Sequence, residues 1–306
     1  MNTHYMLALR AALLAAVTLT VPLAALAQAQ TQTQTQTHVP VKIYAQELVD
    51  RTAAQHPDLR AIVLHVTPPK AAGNIIIASS IGLIGKPADA GDLEVITTGK
   101  TRVSTDSGGK RIEVELTLRD VAGDTVGALG LVWRYPVGSS QAEFERSAGA
   151  IRDALSRRIL SLANLMDPYP FDPMATTKSR AQTLVDEALL RHPEVTVLAI
   201  RGRDRSSNEL VLLGSTFGRH GKKADADDLK VLDSTAPTTG VYSNGRRLGV
   251  DLALRDRAGT AIGTMNVGYA YRAGDDAKTW VASALALRDE LQLRIAAGPV
   301  LDEVDP

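Results

Sequence analysis

The sequence predicts an α+β protein made of two tandem copies of one domain, each an antiparallel sheet flanked by helices. Three observations carry that expectation. First, Gly85-Lys86-Pro87-Ala88-Asp89-Ala90-Gly91-Asp92-Leu93-Glu94-Val95 returns as Gly221-Lys222-Lys223-Ala224-Asp225-Ala226-Asp227-Asp228-Leu229-Lys230-Val231, at a constant offset of 136 residues. His56-Pro57, Arg119-Asp120, Gly123 and Arg152-Asp153 return at that offset as His192-Pro193, Arg255-Asp256, Gly259 and Arg288-Asp289. An internal repeat decides how the rest is read. Second, each copy runs through helical and alternating periods in the order α-β-β-α-β-β-β-α, with hairpin turns that pair strands antiparallel. Third, the chain has no cysteine. Each copy of roughly 125 residues must therefore hold itself together by an apolar core, for which it is long enough. Aromatics are sparse, so Val, Leu, Ile and Ala fill those cores.

The first 27 of the 306 residues read as a leader rather than fold. Arg10 precedes an apolar run from Ala11 to Leu26, broken by Pro22 and ending in the small-x-small signal Ala25-Leu26-Ala27. This is the pattern of a secretory signal peptide cleaved after Ala27. The competing expectation is an uncleaved anchor, since Met6 to Ala27 is long enough to span a bilayer. No later segment is apolar enough to do so, which predicts a periplasmic or secreted protein with no stable span after cleavage. Loss of Arg10 leaves 33 basic against the 34 acidic residues. That balance argues against a nucleic-acid or polybasic membrane partner.

Residues 28–40 form a Gln/Thr tether of too little apolar content to order itself. Domain one is expected over 41–165. Its opening helix, Val41 to Gln55, places Ala45, Leu48, Val49 and Thr52 on one face and stops at His56-Pro57. Strands follow at Arg60 to Thr67 and Asn74 to Ser79. Asp89 caps a short helix through Val95. Further strands are expected at Thr101 to Ser104, Lys110 to Leu118 and Thr125 to Tyr135. The last two are joined by Asp120-Val121-Ala122-Gly123, with Gly123 at a positive-φ position. A closing helix runs from Gln141 to Leu165. The linker 166–178 holds Asp167-Pro168-Tyr169-Pro170-Phe171-Asp172-Pro173, which resists helix and central strand alike. Domain two spans 179–296 in the same order, and 297–306 is a short acidic tail.

Ile76-Ile77-Ala78-Ser79-Ser80, Ile84-Gly85-Lys86, Asp92-Leu93-Glu94-Val95-Ile96 and Thr98-Gly99-Lys100 look like the middle of a Cache domain, the extracytoplasmic relative of PAS domains. The hairpin from Val114 to Asp120, with Gly123 and Val126-Gly127-Ala128-Leu129-Gly130, is similar to that family's last two strands. The second copy carries the same features from Leu212 to Met265. The resemblance implies tandem PAS/Cache-like domains, each a five-stranded antiparallel sheet with a small-molecule pocket beside it. The chain departs from the family in lacking a cytoplasmic effector module and the aromatic-Arg-aromatic-Asp spacing of amino-acid-binding members.

Strand alternation proposes which side chains face such a pocket. Ile112, Val114, Leu116 and Leu118 share one face; Arg111, Glu113, Glu115 and Thr117 share the other. In domain two Leu248, Val250, Leu252 and Leu254 oppose Arg247, Gly249, Asp251 and Ala253. Polar groups on otherwise apolar strands require partners when buried. On that ground His65, Glu115 and Arg134 are expected to line a pocket in domain one, and Arg201, Asp251 and Asn266 one in domain two. The competing expectation is a solvated face, or structural pairs of the His65–Glu115 and Arg201–Asp251 kind. Lys86 and Lys222 follow a glycine and precede a helix cap, a place suited to anion capture by nearby N–H groups; a solvated lysine is the simpler expectation. Gly218-Arg219-His220-Gly221 replaces Gly82-Leu83-Ile84-Gly85, so His220 joins the candidates and an anionic ligand is favoured in domain two. The aspartate clusters at 89/92 and 225/227/228 lack EF-hand spacing and read as caps.

No nucleophile elbow, phosphate loop, HExxH or Rossmann glycine pattern is present, and no two histidines have metal-ligand spacing. The expectation is a non-enzymatic, sensor-like protein with no cofactor or metal, binding an unknown small molecule and relaying occupancy through a protein partner rather than an effector domain of its own. The alternative is a non-catalytic scaffold that binds proteins.

Overall fold

The computed structural model describes residues 41–296 and 301–304, so the expected leader, the tether and most of the tail lie outside the described residues. In the first repeat α1 (Tyr44–Gln55) leads into β1 (Leu59–Val66) and β2 (Ile75–Ser79). Then come α2 (Ala90–Thr98), β3 (Arg102–Thr105), β4 (Arg111–Arg119), β5 (Thr125–Arg134), α3 (Gln141–Ser156) and α4 (Leu162–Leu165). The second repeat has α5 (Arg180–Arg191), β6 (Val195–Arg203), β7 (Leu210–Ser215), α6 (Ala226–Leu232), β8 (Thr238–Tyr242), β9 (Arg247–Arg255), β10 (Ala261–Ala270) and α7 (Ala277–Arg294). Each repeat is a five-stranded antiparallel sheet, ordered β2-β1-β5-β4-β3 and β7-β6-β10-β9-β8.

The faces follow from alternation. Ile112, Val114, Leu116 and Leu118 join Ile62, Leu64 and Leu129 in a core closed by Leu48 of α1 and Ile151 of α3. Leu248, Val250, Leu252 and Leu254 do the same under α5 and α7. An aromatic pair persists with its residues exchanged. Trp133 and Phe144 lie 5.6 Å apart, and their counterparts Tyr269 and Trp280 stack at 4.8 Å. The Tyr269 hydroxyl is buried without a partner. Tyr269→Phe is therefore expected to be neutral or stabilising by up to about 1 kcal/mol, read by urea denaturation.

The opposite sheet face carries the short helices α2 and α6. Asp89 and Asp225 cap them in reciprocal boxes with Asp92 and Asp228, which is why an aspartate stands three residues after each cap. At the hairpin turns Asp120 and Asp256 accept two backbone N–H groups each, and Gly123 and Gly259 have φ of +84° and +86°.

The closing helix departs from expectation. It stops at Ser156 instead of running to Leu165, and Ser161 caps the separate turn α4. Ile159 is fully buried, its carbonyl accepts from Val121 N–H, and Arg157 donates to the His192 and Val195 carbonyls of the second repeat. Tertiary contacts at the joint outweigh helical periodicity there. The joint is polar and dense. Tyr44 Oη stands 3.1 Å from the carbonyls of Arg158 and Thr216, Arg158 pairs with Asp186 at 2.8 Å, and Arg219 pairs with Asp167 at 2.7 Å. The described part of the acidic tail is docked: Leu301 is buried in the second core and Asp302 pairs with Arg205.

Candidate ligand-binding site

A cavity of about 650 Å³ lies in the second repeat between α6 and the sheet. Its floor is the polar face of β6, β9 and β10. Arg201, Asp251 and Asn266, expected from alternation to share a pocket, all line it. Asp251 and Asn266 are cross-strand partners, and Asn266 Nδ2 donates to Asp251 Oδ1 at 2.6 Å. Burial raises the Asp251 carboxyl above the usual carboxylate range, with the Asn266 bond opposing. Arg201 Nε stands 2.9 Å from Asp228 Oδ2 on α6, so Asp228 is its partner in place of the expected Asp251. Arg247 lies over the Tyr242 ring, 5.5 Å from its centroid, with Nη1 buried and unpaired. Desolvation lowers its pKa. Apolar walls come from Val197, Ala199, Phe217 and Val231, and from Leu160 of the first repeat's connector.

The same place in the first repeat is filled by the chain itself. Arg102 reaches from β3 to Glu115, Nη1 to Oε2 at 2.7 Å. It also crosses the first turn of α2, where a Cβ on Gly91 would collide with its Nη1. His65 Nε2 faces Asp92 Oδ1 at 3.4 Å, so the expected His65–Glu115 pair does not form. Burial lowers the His65 pKa and raises that of Glu115, each opposed by its charged partner. The carboxylates of Asp89, Asp92 and Glu115 gather within 4.8 Å of one another, and the Arg102 guanidinium pairs with Glu115 among them.

Four exchanges at the repeat offset account for the difference. Arg102 becomes Thr238, Glu113 becomes Gly249, Val132 becomes Gly268, and Gly91 becomes Asp227. The first three remove side-chain volume from the pocket face. Arg201, in the place of His65, brings its guanidinium to Asp228, the counterpart of Asp92, and not to the carboxylate that Arg102 pairs with in the first repeat.

The remaining expected site residues lie elsewhere. Arg134 is on the predicted face but at its exposed end, where it lines a separate open groove with Arg60, Lys110 and Arg111. Lys86 and Lys222 are exposed, and their carbonyls extend the β2 and β7 edges by accepting from Ile76 and Leu212. His220 is buried in the joint rather than in the cavity. Its Nε2 bonds Gln182 Oε1 at 2.8 Å and its ring meets Tyr169 edge-on at 5.7 Å. With Arg219 paired to Asp167, the basic loop that favoured an anionic ligand is committed to holding the repeats together.

Sequence reasoning placed Arg247 on the pocket face without naming it a candidate, and missed Tyr242, Phe217 and Leu160. Arg102 and Thr238 were visible as a mismatch between the copies, a signal found by reading the repeat for its differences. Leu160 had no such signal, because it reaches the site from the other repeat.

The sheet order, present twice with a helix across the second face, gives the chain two tandem α+β domains of PAS-like fold. No family model matches the chain, and no curated protein does. Similar solved structures include the E. coli DhaR(N)-DhaL complex, at TM-score 0.28 and 10% identity over 74% of this chain and 84% of that one. An RNA-binding Light-Oxygen-Voltage receptor aligns at TM-score 0.17 and 12% identity, over 76% and 98%. A protein from Mycobacterium tuberculosis aligns at 0.18 and 10%, over 73% and 68%. At such scores these likenesses carry no functional argument.

Proposed function

We propose that the cavity of the second repeat receives a small organic molecule, and that the protein is a periplasmic or secreted binding module, related to Cache domains, that reports occupancy through a protein partner. The observation that carries the reading is the cavity itself. At about 650 Å³ it falls in the size range of ligand pockets, with apolar walls and a few convergent polar groups. The leader-like pattern of residues 1–27 supports the address, and no helix of the described residues is long and apolar enough to cross a membrane. The reading takes the role as non-catalytic and is supported by the pairing of Asp251 with Asn266 and of Arg201 with Asp228. A scaffold reading is favoured for the first repeat alone, where Arg102 fills the pocket.

Thermal shift of the secreted chain against organic acids, amino acids, amines and purines tests the reading. A ligand at a hundredfold above its dissociation constant is expected to stabilise by about 2.7 kcal/mol. The shift should vanish in Thr238→Arg, which implants the side chain that fills the first repeat. A shift that survives Thr238→Arg would remove the cavity from the proposal.

A further inference from the structure

We infer that the ligand of the second repeat carries a compact organic cation, a guanidinium or primary ammonium, which Asp251 receives as Glu115 receives the guanidinium of Arg102. The inference rests on reading the second-repeat cavity as a ligand site, and it deepens that reading.

The two repeats display one site in two states. Arg102 and Glu115 are cross-strand partners on β3 and β4, and Thr238 and Asp251 occupy the same register on β8 and β9. The first repeat shows a guanidinium on a flexible tether lying in that register, over the first turn of α2, against a buried carboxylate. In the second repeat the carboxylate is kept and the tethered cation is gone. The charges already present do not replace it. Arg201 stands on Asp228, and Lys230 pairs with Asp227 at 2.8 Å. Asp225 accepts the N–H groups of Asp227 and Asp228 as a helix cap. Arg247 is four residues from Asp251 along β9, roughly 13 Å by strand rise, and is held over Tyr242. Asp251 hydrogen-bonds only the neutral Asn266 amide, and the Arg201 guanidinium acts on it at a distance without bonding it. A half-buried carboxylate whose hydrogen-bond donor is neutral gains from a cationic one, through a charge-assisted hydrogen bond in a partly desolvated site.

Agmatine, a guanidinium on a four-carbon stem, reproduces the Arg102 side chain, and putrescine replaces its head by ammonium. Titration calorimetry of the full chain would compare these with 1,4-butanediol and succinate, the neutral and anionic analogues. Expected are one site per chain for agmatine or putrescine, no heat with the two analogues, and at least tenfold weaker binding in Asp251→Asn. Thr238→Arg should abolish binding while leaving the circular dichroism spectrum unchanged. Agmatine should also restore the melting temperature of Arg102→Ala, by occupying the vacated place on Glu115. Binding of succinate or butanediol in preference to the amines, lost in Thr238→Arg, would overturn the cationic assignment and leave the cavity a ligand site. No response to either amine overturns the assignment as well, and the broader panel then decides the cavity reading separately.

Discussion

Acidification from pH 6.5 to pH 4 is expected to remove about 3 kcal/mol of stability through His220 alone. Burial holds its imidazole well below the ordinary value, down to about 4, with Arg51 adding to the shift and Asp186 opposing it. Nε2–H donates to Gln182 Oε1, which also accepts the Ser215 N–H, while Nδ1 is buried with no partner. A proton on Nδ1 would place an unpaired donor and a positive charge in the joint beside Arg51. The unfolded chain takes up that proton near pH 6.5, and the folded chain resists it until about pH 4. Through that window the unfolded state binds more protons, so stability falls as pH falls; above it the histidine has no effect. Urea denaturation at steps between pH 7.5 and 4 measures the slope. His220→Asn should be less stable at pH 7.5 through lost packing, yet its slope should be shallower by close to one proton. An unchanged slope in the variant would assign the acid sensitivity to other groups.

Asn164→Ala is expected to cost about 3 kcal/mol, on the order of ten degrees in melting temperature for a unit of this size. Asn164 is fully buried in α4, and its side chain closes three contacts. Oδ1 accepts from Leu160 N–H at 3.1 Å, and Nδ2 donates to Asp167 Oδ2 and to the Phe217 carbonyl, both at 3.0 Å. Removing it leaves the Leu160 N–H and Phe217 carbonyl without that partner, and buried polar groups left unmatched are costlier than the bonds themselves. Leu160 and Phe217 both line the cavity. The variant should therefore weaken ligand response as well as stability, and calorimetry should show the two repeats melting in separate steps. A single transition at the parent temperature would show that the joint does not depend on this residue.

Much of the fold was legible because it is locally encoded. Asp89 and Asp225 announce their helices through side-chain caps that act within three residues. The alternation from Ile112 to Leu118 is enough to assign faces, since a strand has a period of two. Three polar residues of the cavity followed from the same logic: Arg201, Asp251 and Asn266 come together because their strands are neighbours in register. The error on the closing helix has a different origin. Phe144, Ala148, Ile151, Leu155 and Ile159 keep a helical period through Ile159, but Arg157 and Arg158 are recruited by carbonyls and a carboxylate of the second repeat. Periodicity along one segment holds no record of such partners.

By itself the sequence determined the duplication, the strand and helix order of each copy, the caps, the turns and the polar face of each sheet. All of these depend on interactions over a few residues or on a repeat that can be counted. Only the tertiary structure decided which partner each buried charge takes, that one pocket is filled by Arg102 while the other stands open, and that His220 belongs to the joint. Those outcomes depend on side chains brought together from distant strands and from the other repeat, where a buried charge is matched by whichever opposite group lies within reach.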